Sequence, residues 1–314
     1  PAFESVRRGR PIGRLRHCGW GAIEKIKIVM SLLTVGTVAF DAIETPYGKT
    51  DKIVGGAASY ICLSASLFTK KIHLVSIIGD DFPESTLKHY RKRNISLDGL
   101  QIVKGEKSFF WAGKYSDNLN SRETLVTELN VLANFKPVVP ASAVESEFVM
   151  LGNLTPAVQI SVIEQMQKKP KIIALDTMNY WIESAKEDLL KVLKRIDLLM
   201  INDEEARLLT GEHSLVKAAK AIFKLGVPNL IIKKGENGSL VFSGTGKVFF
   251  APAFPLEEVV DPTGAGDTFA GGIMGYLDKV KSASFENLKK AVVYGSIIGS
   301  FCVEKFGTEG LLKL

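Results

Sequence analysis

From residue 30 onward the chain alternates short, uninterrupted apolar runs with longer stretches in which apolar side chains recur every three or four positions. The apolar runs at 31–39, 72–78, 147–151, 171–175, 197–201 and 229–233 predict strands, and the periodic stretches at 57–69, 83–93, 156–167, 183–193 and 214–225 predict helices. Thr155 ahead of Pro156, and Asp81 ahead of Pro83, read as helix starts. Because the strand runs are apolar throughout, both of their faces should be covered. Strand–helix alternation of this kind predicts an α/β fold, with three α/β/α layers around a mostly parallel sheet. Ligands in such folds sit at the carboxyl ends of the strands.

Two stretches break this rhythm. Residues 41–54 are polar and extended around a Pro46-Tyr47-Gly48 turn, and residues 108–127 alternate like a hairpin, with Phe110, Ala112 and Lys114 followed by Arg122, Thr124 and Val126. Both are expected to project from the main sheet, either as a lid over a site or as an edge hairpin without a role. An apolar outer face on such a hairpin would invite a second copy, so a homodimer through the lid is expected. No internal repeat interrupts a single domain over 30–314.

Composition narrows the partners. A chain of 314 residues, 46% hydrophobic and 24% charged, is long enough for one large α/β domain or two ordinary ones. The formal charge is +6, but residues 1–29 hold seven basic residues against Glu4 and Glu24, which leaves the body nearly neutral. Nucleic acid is therefore not an expected partner of the body. Residues 28–40 are uncharged and follow arginines, as in a secretion signal. They are too short to span a membrane, and their β-branched character suits a buried first strand. With Met30 directly ahead of that strand, residues 1–29 are expected to be an extension foreign to the domain, or an arginine-rich organelle-targeting peptide. The expected location is the cytoplasm in the first case and an organelle in the second. Cys18, Cys62 and Cys302 are far apart, and His17, His73, His89 and His213 form no ligand pair. This pattern fits reduced thiols and offers no zinc site.

The candidate chemistry lies late in the chain. Residues 261–275 carry Gly264, Gly266, Gly271, Gly272 and Gly275 and open a helix that continues through Phe269, Ile273, Met274 and Leu277. Glycines at a helix start let backbone amides converge on an anion, and the helix dipole favours negative charge there. Asp267 falls in the first turn. Beside a phosphate it could take the proton of an attacking hydroxyl; elsewhere it would only complement the dipole. The chain has no G-x-x-x-x-G-K-[ST] loop, and Phe269 breaks G-x-G-x-x-G, which argues against a Walker loop and a nicotinamide enzyme.

The run Asp261-Pro262-Thr263-Gly264-Ala265-Gly266-Asp267-Thr268-Phe269-Ala270-Gly271-Gly272 resembles the C-terminal signature of the ribokinase-like (PfkB) carbohydrate kinases. Other landmarks occur in the family's order over 31–307. Gly36 to Asp41 is similar to the opening strand with its acidic residue, Gly55-Gly56 to the pair before the first helix, and Gly79-Asp80-Asp81-Phe82, in part, to a G-D-D turn. Asn202-Asp203-Glu204-Glu205 is similar to N-x-x-E, and Gly235-Glu236-Asn237-Gly238 to a G-x-x-G nucleotide turn.

The resemblance implies a ribokinase-like fold with a β lid. It implies ATP-dependent transfer of the γ-phosphate to a hydroxyl of a small sugar or polyol; a nucleoside kinase and a catalytically silent homologue are the alternatives. Asp267 would be the general base, and the amides of Gly264, Ala265 and Gly266 would stabilise the transferring phosphoryl group. Asn202 and Glu205 would organise Mg²⁺ through water. Asp41, Gly55 and Gly56 would bind substrate hydroxyls under the lid, while Gly235 and Gly238 would line the adenine or ribose. Asp261 and Thr263 would offer oxygens to a monovalent cation such as K⁺. Trp111 and Tyr115 on the lid would stack on a sugar or base, or pack at an interface or in the core.

Each of these residues also has a plain structural use. Asn202 and Glu205 make a capping box, Gly235–Gly238 a hairpin loop, Gly55-Gly56 a tight turn and Asp41 a solvated strand end. Many sugar kinases of this type carry an arginine after a D-x-N, but Asp176-Thr177-Met178-Asn179-Tyr180-Trp181 has none. That departure favours uncharged acceptors over keto-acids and sugar phosphates.

Overall fold

The computed structural model describes residues 31–314; the extension expected at 1–29 lies outside the described residues. The first strand, β1 (Leu32–Val35), is shorter than the run expected over 31–39, which divides at Gly36-Thr37-Val38. Thr37 is used elsewhere: its hydroxyl and carbonyl accept the Ala57 and Ala58 amides, both at 2.9 Å, and so satisfy the start of α1 (Ala57–Ala65). Between these points the chain leaves the main sheet through β2 (Ala39–Thr45), β3 (Gly48–Lys49) and β4 (Ile53–Gly55).

After α1 come β5 (Ile72–Gly79), α2 (Glu84–Lys92) and β6 (Ile95–Val103). β6 is not among the strands expected from the sequence, because Ser96, Asp98 and Gly99 interrupt its apolar pattern; as an edge strand it tolerates them, and its register with β5 slips there. The hairpin expected at 108–127 forms as β7 (Phe110–Tyr115) and β8 (Arg122–Glu128). The chain then returns to the main sheet through β9 (Phe148–Leu151), α3 (Pro156–Glu164), β10 (Ile172–Asp176), α4 (Asn179–Ser184) and α5 (Lys186–Leu193). The helix expected over 183–193 is thus two helices, parted at Ala185, whose φ of −140° is not helical. β11 (Leu198–Asn202), α6 (Asp203–Thr210), α7 (Leu215–Lys224) and β12 (Asn229–Lys233) follow, then β13 (Ser239–Ser243) and β14 (Val248–Ala251). The chain ends in α8 (Ala265–Val280), α9 (Phe285–Val303) and α10 (Glu309–Leu312).

The main sheet has nine strands in the order β14-β13-β12-β11-β10-β9-β1-β5-β6, parallel from β12 to β6, with β13 and β14 antiparallel. Its uninterrupted apolar strands face helices on both sides. Leu32, Phe148, Met150, Ala174 and Met200 pack with α1, α8 and α9, while Leu33, Val149, Leu151, Leu175 and Ile201 pack with α3, α5, α6 and α7. Among the described residues no helix is long and apolar enough to cross a membrane.

β2, β3, β4, β7 and β8 form the separate lid sheet, in which β2 runs parallel to β7 and places Asp41 in register with Trp111. Its root is pinned by Asp81, which accepts the Ser108 amide at 2.8 Å and hydroxyl at 2.6 Å, so Asp81 does not cap α2 as its position suggested. The start signal at Thr155 does operate: its hydroxyl accepts the Val158 amide at 3.3 Å, with Pro156 in the first turn.

Candidate active site

Asp176, Asn202 and Lys233 are the last residues of three neighbouring strands, β10, β11 and β12. The parallel arrangement brings them to one edge of the sheet, and α8 begins above that edge. Together they line a cavity of about 670 Å³ with Asn153, Met178, Glu205, Gly264, Gly266 and Asp267. From the lid, Tyr115 and Arg122 also line it.

The start of α8 is built to hold an anion. Gly264, at the N-cap, has φ +74°, and a Cβ there would collide with the Tyr60 ring packed beneath it. The Ala265 amide donates to Pro262 O at 3.2 Å, whereas the amides of Gly264, Gly266 and Asp267 meet no acceptor among the described residues. The open donors therefore differ by one from the expected trio: Asp267 contributes its amide, and Ala265 is engaged in the turn. A row of unpaired amides at a helix start is an anion site.

The Asp267 carboxyl stands in the first turn of this helix. Burial and the neighbouring negative charge of Asp176 push it up to about 7, Lys233 opposes the rise and Asp41 adds to it. Lys233 Nζ donates to Asp176 Oδ2 at 2.7 Å. Burial alone would lower the lysine, but Asp176, Glu205 and Asp267 hold it above its ordinary value. Asn202 and Glu205 form the expected capping box, with Asn202 Oδ1 accepting the Glu205 amide at 2.7 Å and Glu205 Oε2 accepting the Asn202 amide at 2.8 Å. Glu205 Oε1 and the Asn202 side-chain amide have no partner among the described residues, so the cap leaves both residues a free group at the cavity. Glu205 is pushed up to about 7, chiefly by burial.

Asp41 is buried, and its charge reaches Asp267. Its carboxylate lies over Gly55, where a Cβ would strike Oδ2, and it receives the Gly56 amide. Burial pushes it up to about 7 against that hydrogen bond, and Asp261 adds to the rise. Gly55-Gly56 is thus the seat of Asp41, and neither glycine lines the cavity. The Trp111 ring lies over Gly113, beneath the Arg122 guanidinium at 5.0 Å from its centroid, and Nε1 donates to Thr124 Oγ1 at 3.3 Å. Gly235 and Gly238 form the loop between β12 and β13, also outside the cavity lining. Asp261 accepts the Thr263 and Gly307 amides, both at 2.9 Å, and the Thr263 hydroxyl bonds the Tyr115 hydroxyl at 3.0 Å. The two residues expected to face a monovalent cation thus tie the cradle to the C-terminal segment and to the lid.

The pfkB family carbohydrate kinase profile matches residues 30–313, nearly the whole chain. The chain belongs to the PfkB family of carbohydrate kinases. It is accordingly a phosphotransferase with an alcohol group as acceptor. A cytidine kinase of Thermococcus kodakarensis is 30% identical over 252 residues, spanning 78% of this chain and 88% of that protein. A ribokinase of Haemophilus influenzae is 26% identical over 281 residues, spanning 85% and 86%. The crystal structure of aminoimidazole riboside kinase from Salmonella enterica, complexed with aminoimidazole riboside and an ATP analog, covers 90% of this chain and 96% of its own, at 18% identity and a TM-score of 0.71. At that identity the likeness establishes the ribokinase-like fold.

In this PfkB-family kinase Lys233, Asn153, Arg122 and Asp176 line the cavity without belonging to any motif that marks them as site residues in the sequence. Their signal was positional: Asp176 and Lys233 are the first charged residues after the apolar runs Ile172–Leu175 and Leu230–Ile232. In a parallel sheet, a strand's last residue is where a ligand is met. Arg122 carried no such signal, because only the folded hairpin turns it toward the site. In the segment after Asp176, which lacks an arginine, Trp181 Nε1 donates to Asn153 Oδ1 at 2.8 Å.

Proposed function

We propose that this kinase transfers the γ-phosphate of ATP to a hydroxyl of an uncharged, ribose-bearing substrate, with nucleosides ahead of free sugars and polyols. This reverses the order of the sequence-based expectation. The identity to a cytidine kinase over most of both chains supports it. The observation that carries the kinase chemistry is Asp267, a carboxyl pushed up to about 7 beside three unpaired amides at the opening of a large cavity.

In the proposed reaction the acceptor O–H gives its proton to the Asp267 carboxylate while its oxygen attacks the γ-phosphorus; the bond from that phosphorus to the β,γ-bridging oxygen breaks, and ADP leaves. The Gly264, Gly266 and Asp267 amides take the charge on the phosphoryl oxygens. Among the described residues no three His, Cys, Asp or Glu side chains are gathered as a metal cage. Asn202 and Glu205 fit a magnesium ion held mainly by water and phosphate, which would supply charge neutralisation on the nucleotide. The lid excludes water, so that ATP is not simply hydrolysed. Leu125 and Val126, 51% and 40% exposed on the lid's outer strand, suit the proposed homodimer contact.

An ADP-release assay over a panel of nucleosides, pentoses, hexoses and polyols tests the assignment. Stimulation by nucleosides at lower concentration than by any sugar is the expected result. A panel in which only sugars or polyols stimulate would contradict the nucleoside assignment, and no response despite ATP binding would return the silent homologue.

A further inference from the structure

Lys233 occupies an electrostatically odd place. Its Nζ stands 3.0 Å from the point that a Cβ on Gly266 would occupy, against the amino-terminal turn of the 16-residue α8. That turn is the positive end of the helix dipole, where an anion is stabilised and a cation is not. The unpaired amides of Gly264, Gly266 and Asp267 lie beside it. The ammonium stays because carboxylates from three elements face it: Asp176 of β10 at 2.7 Å, Glu205 of α6, and Asp267 of α8 itself. Its side chain is 18% exposed and lines the cavity. A strand-end ion pair needs only Asp176 and has no reason to lean on a helix start. An ammonium converging with unpaired amides on one open space is the donor set for a phosphate group.

Resting on the kinase reading above, we propose that Lys233 is a phosphate-binding residue whose ammonium leaves Asp176 and completes the Gly264–Asp267 cradle when the triphosphate of ATP enters the cavity. In the free protein Asp176 holds the lysine in place, since a buried ammonium without a partner would be strongly destabilising. Lys233 also ends the strand that leads directly into the Gly235–Gly238 loop, so one strand terminus joins the expected nucleoside side of the site to its phosphate side.

Calorimetric titration of the full chain with magnesium and ATP, without acceptor, tests this. Lys233→Met is expected to weaken ATP binding on the order of 10- to 100-fold, the loss of one charge-assisted hydrogen bond. Lys233→Arg recovers most of that loss, and Asp176→Asn, which frees the ammonium, binds ATP at least as tightly as wild type. In steady-state assays of Lys233→Met, KM for ATP rises while KM for the acceptor stays close to its wild-type value. ATP binding by Lys233→Met within about threefold of wild type would make Lys233 an ion-pair partner alone. If Lys233→Met does not fold, Lys233→Gln, which can still donate to Asp176, decides in its place: ATP binding within about threefold of wild type in that variant contradicts the role. Wild-type protein that binds no ATP would overturn the kinase reading as well; wild-type binding with an unaffected Lys233→Met overturns only the role of Lys233.

Discussion

Asp267 and Asp41 are carboxyls taken out of water, and each is pushed from 3.8 up to about 7, in both cases chiefly by burial. A base must be charged to accept a proton. The acid limb of kcat/KM, which reports the free enzyme, should therefore fall as pH drops through about 7, well above the ordinary carboxylate range. Stability moves the other way. Both groups bind protons more readily in the folded chain than in the unfolded one, so their contribution is fully present below about pH 4 and is lost as pH rises through about 7. Thermal unfolding of the ligand-free protein should accordingly occur at a lower temperature at about pH 8 than at about pH 5, while turnover is higher at the upper value. A kcat/KM profile that stays flat down to about pH 5 would show that no raised carboxyl acts as base.

At the scale of elements, the first turn of α8 joins three demands in four residues. Gly264 supplies the left-handed N-cap over the Tyr60 ring, Gly266 leaves room for Lys233, and Asp267 carries the carboxyl. Gly264→Ala should destabilise the fold by about 2–4 kcal/mol, from the left-handed backbone and the collision with Tyr60 together. Equilibrium denaturation measures this; a loss under about 0.5 kcal/mol would mean that the turn relaxes freely. The glycines, the helix start and the acidic residue were all legible in the sequence, because this element is local and each requirement marks one residue. The lid was legible only as a hairpin. What it does rests on Tyr115 reaching Thr263 and Thr45 donating to Val260 O at 2.9 Å, contacts between residues 148 and 215 positions apart. No local pattern encodes them.

For the whole molecule, apolar runs long enough to be buried on both faces settle the three-layer architecture, and such runs are visible without coordinates. The site is only half visible that way. Motif residues Asn202, Glu205, Gly264, Gly266 and Asp267 meet at the cavity, whereas Asp41 packs on Gly55, and neither they nor Gly56, Gly235 and Gly238 are among its lining residues. Lys233 and Asp176 emerge because sheet order sets β10, β11 and β12 side by side, a fact of topology and not of spacing. The central claim is that one carboxyl at the convergence of these elements removes the acceptor's proton. Asp267→Asn tests it most directly, with ATP affinity and turnover measured on the same preparation. The account predicts ATP binding within a few-fold of wild type and a turnover lower by about 10²- to 10⁴-fold. Turnover within about threefold of wild type would contradict it.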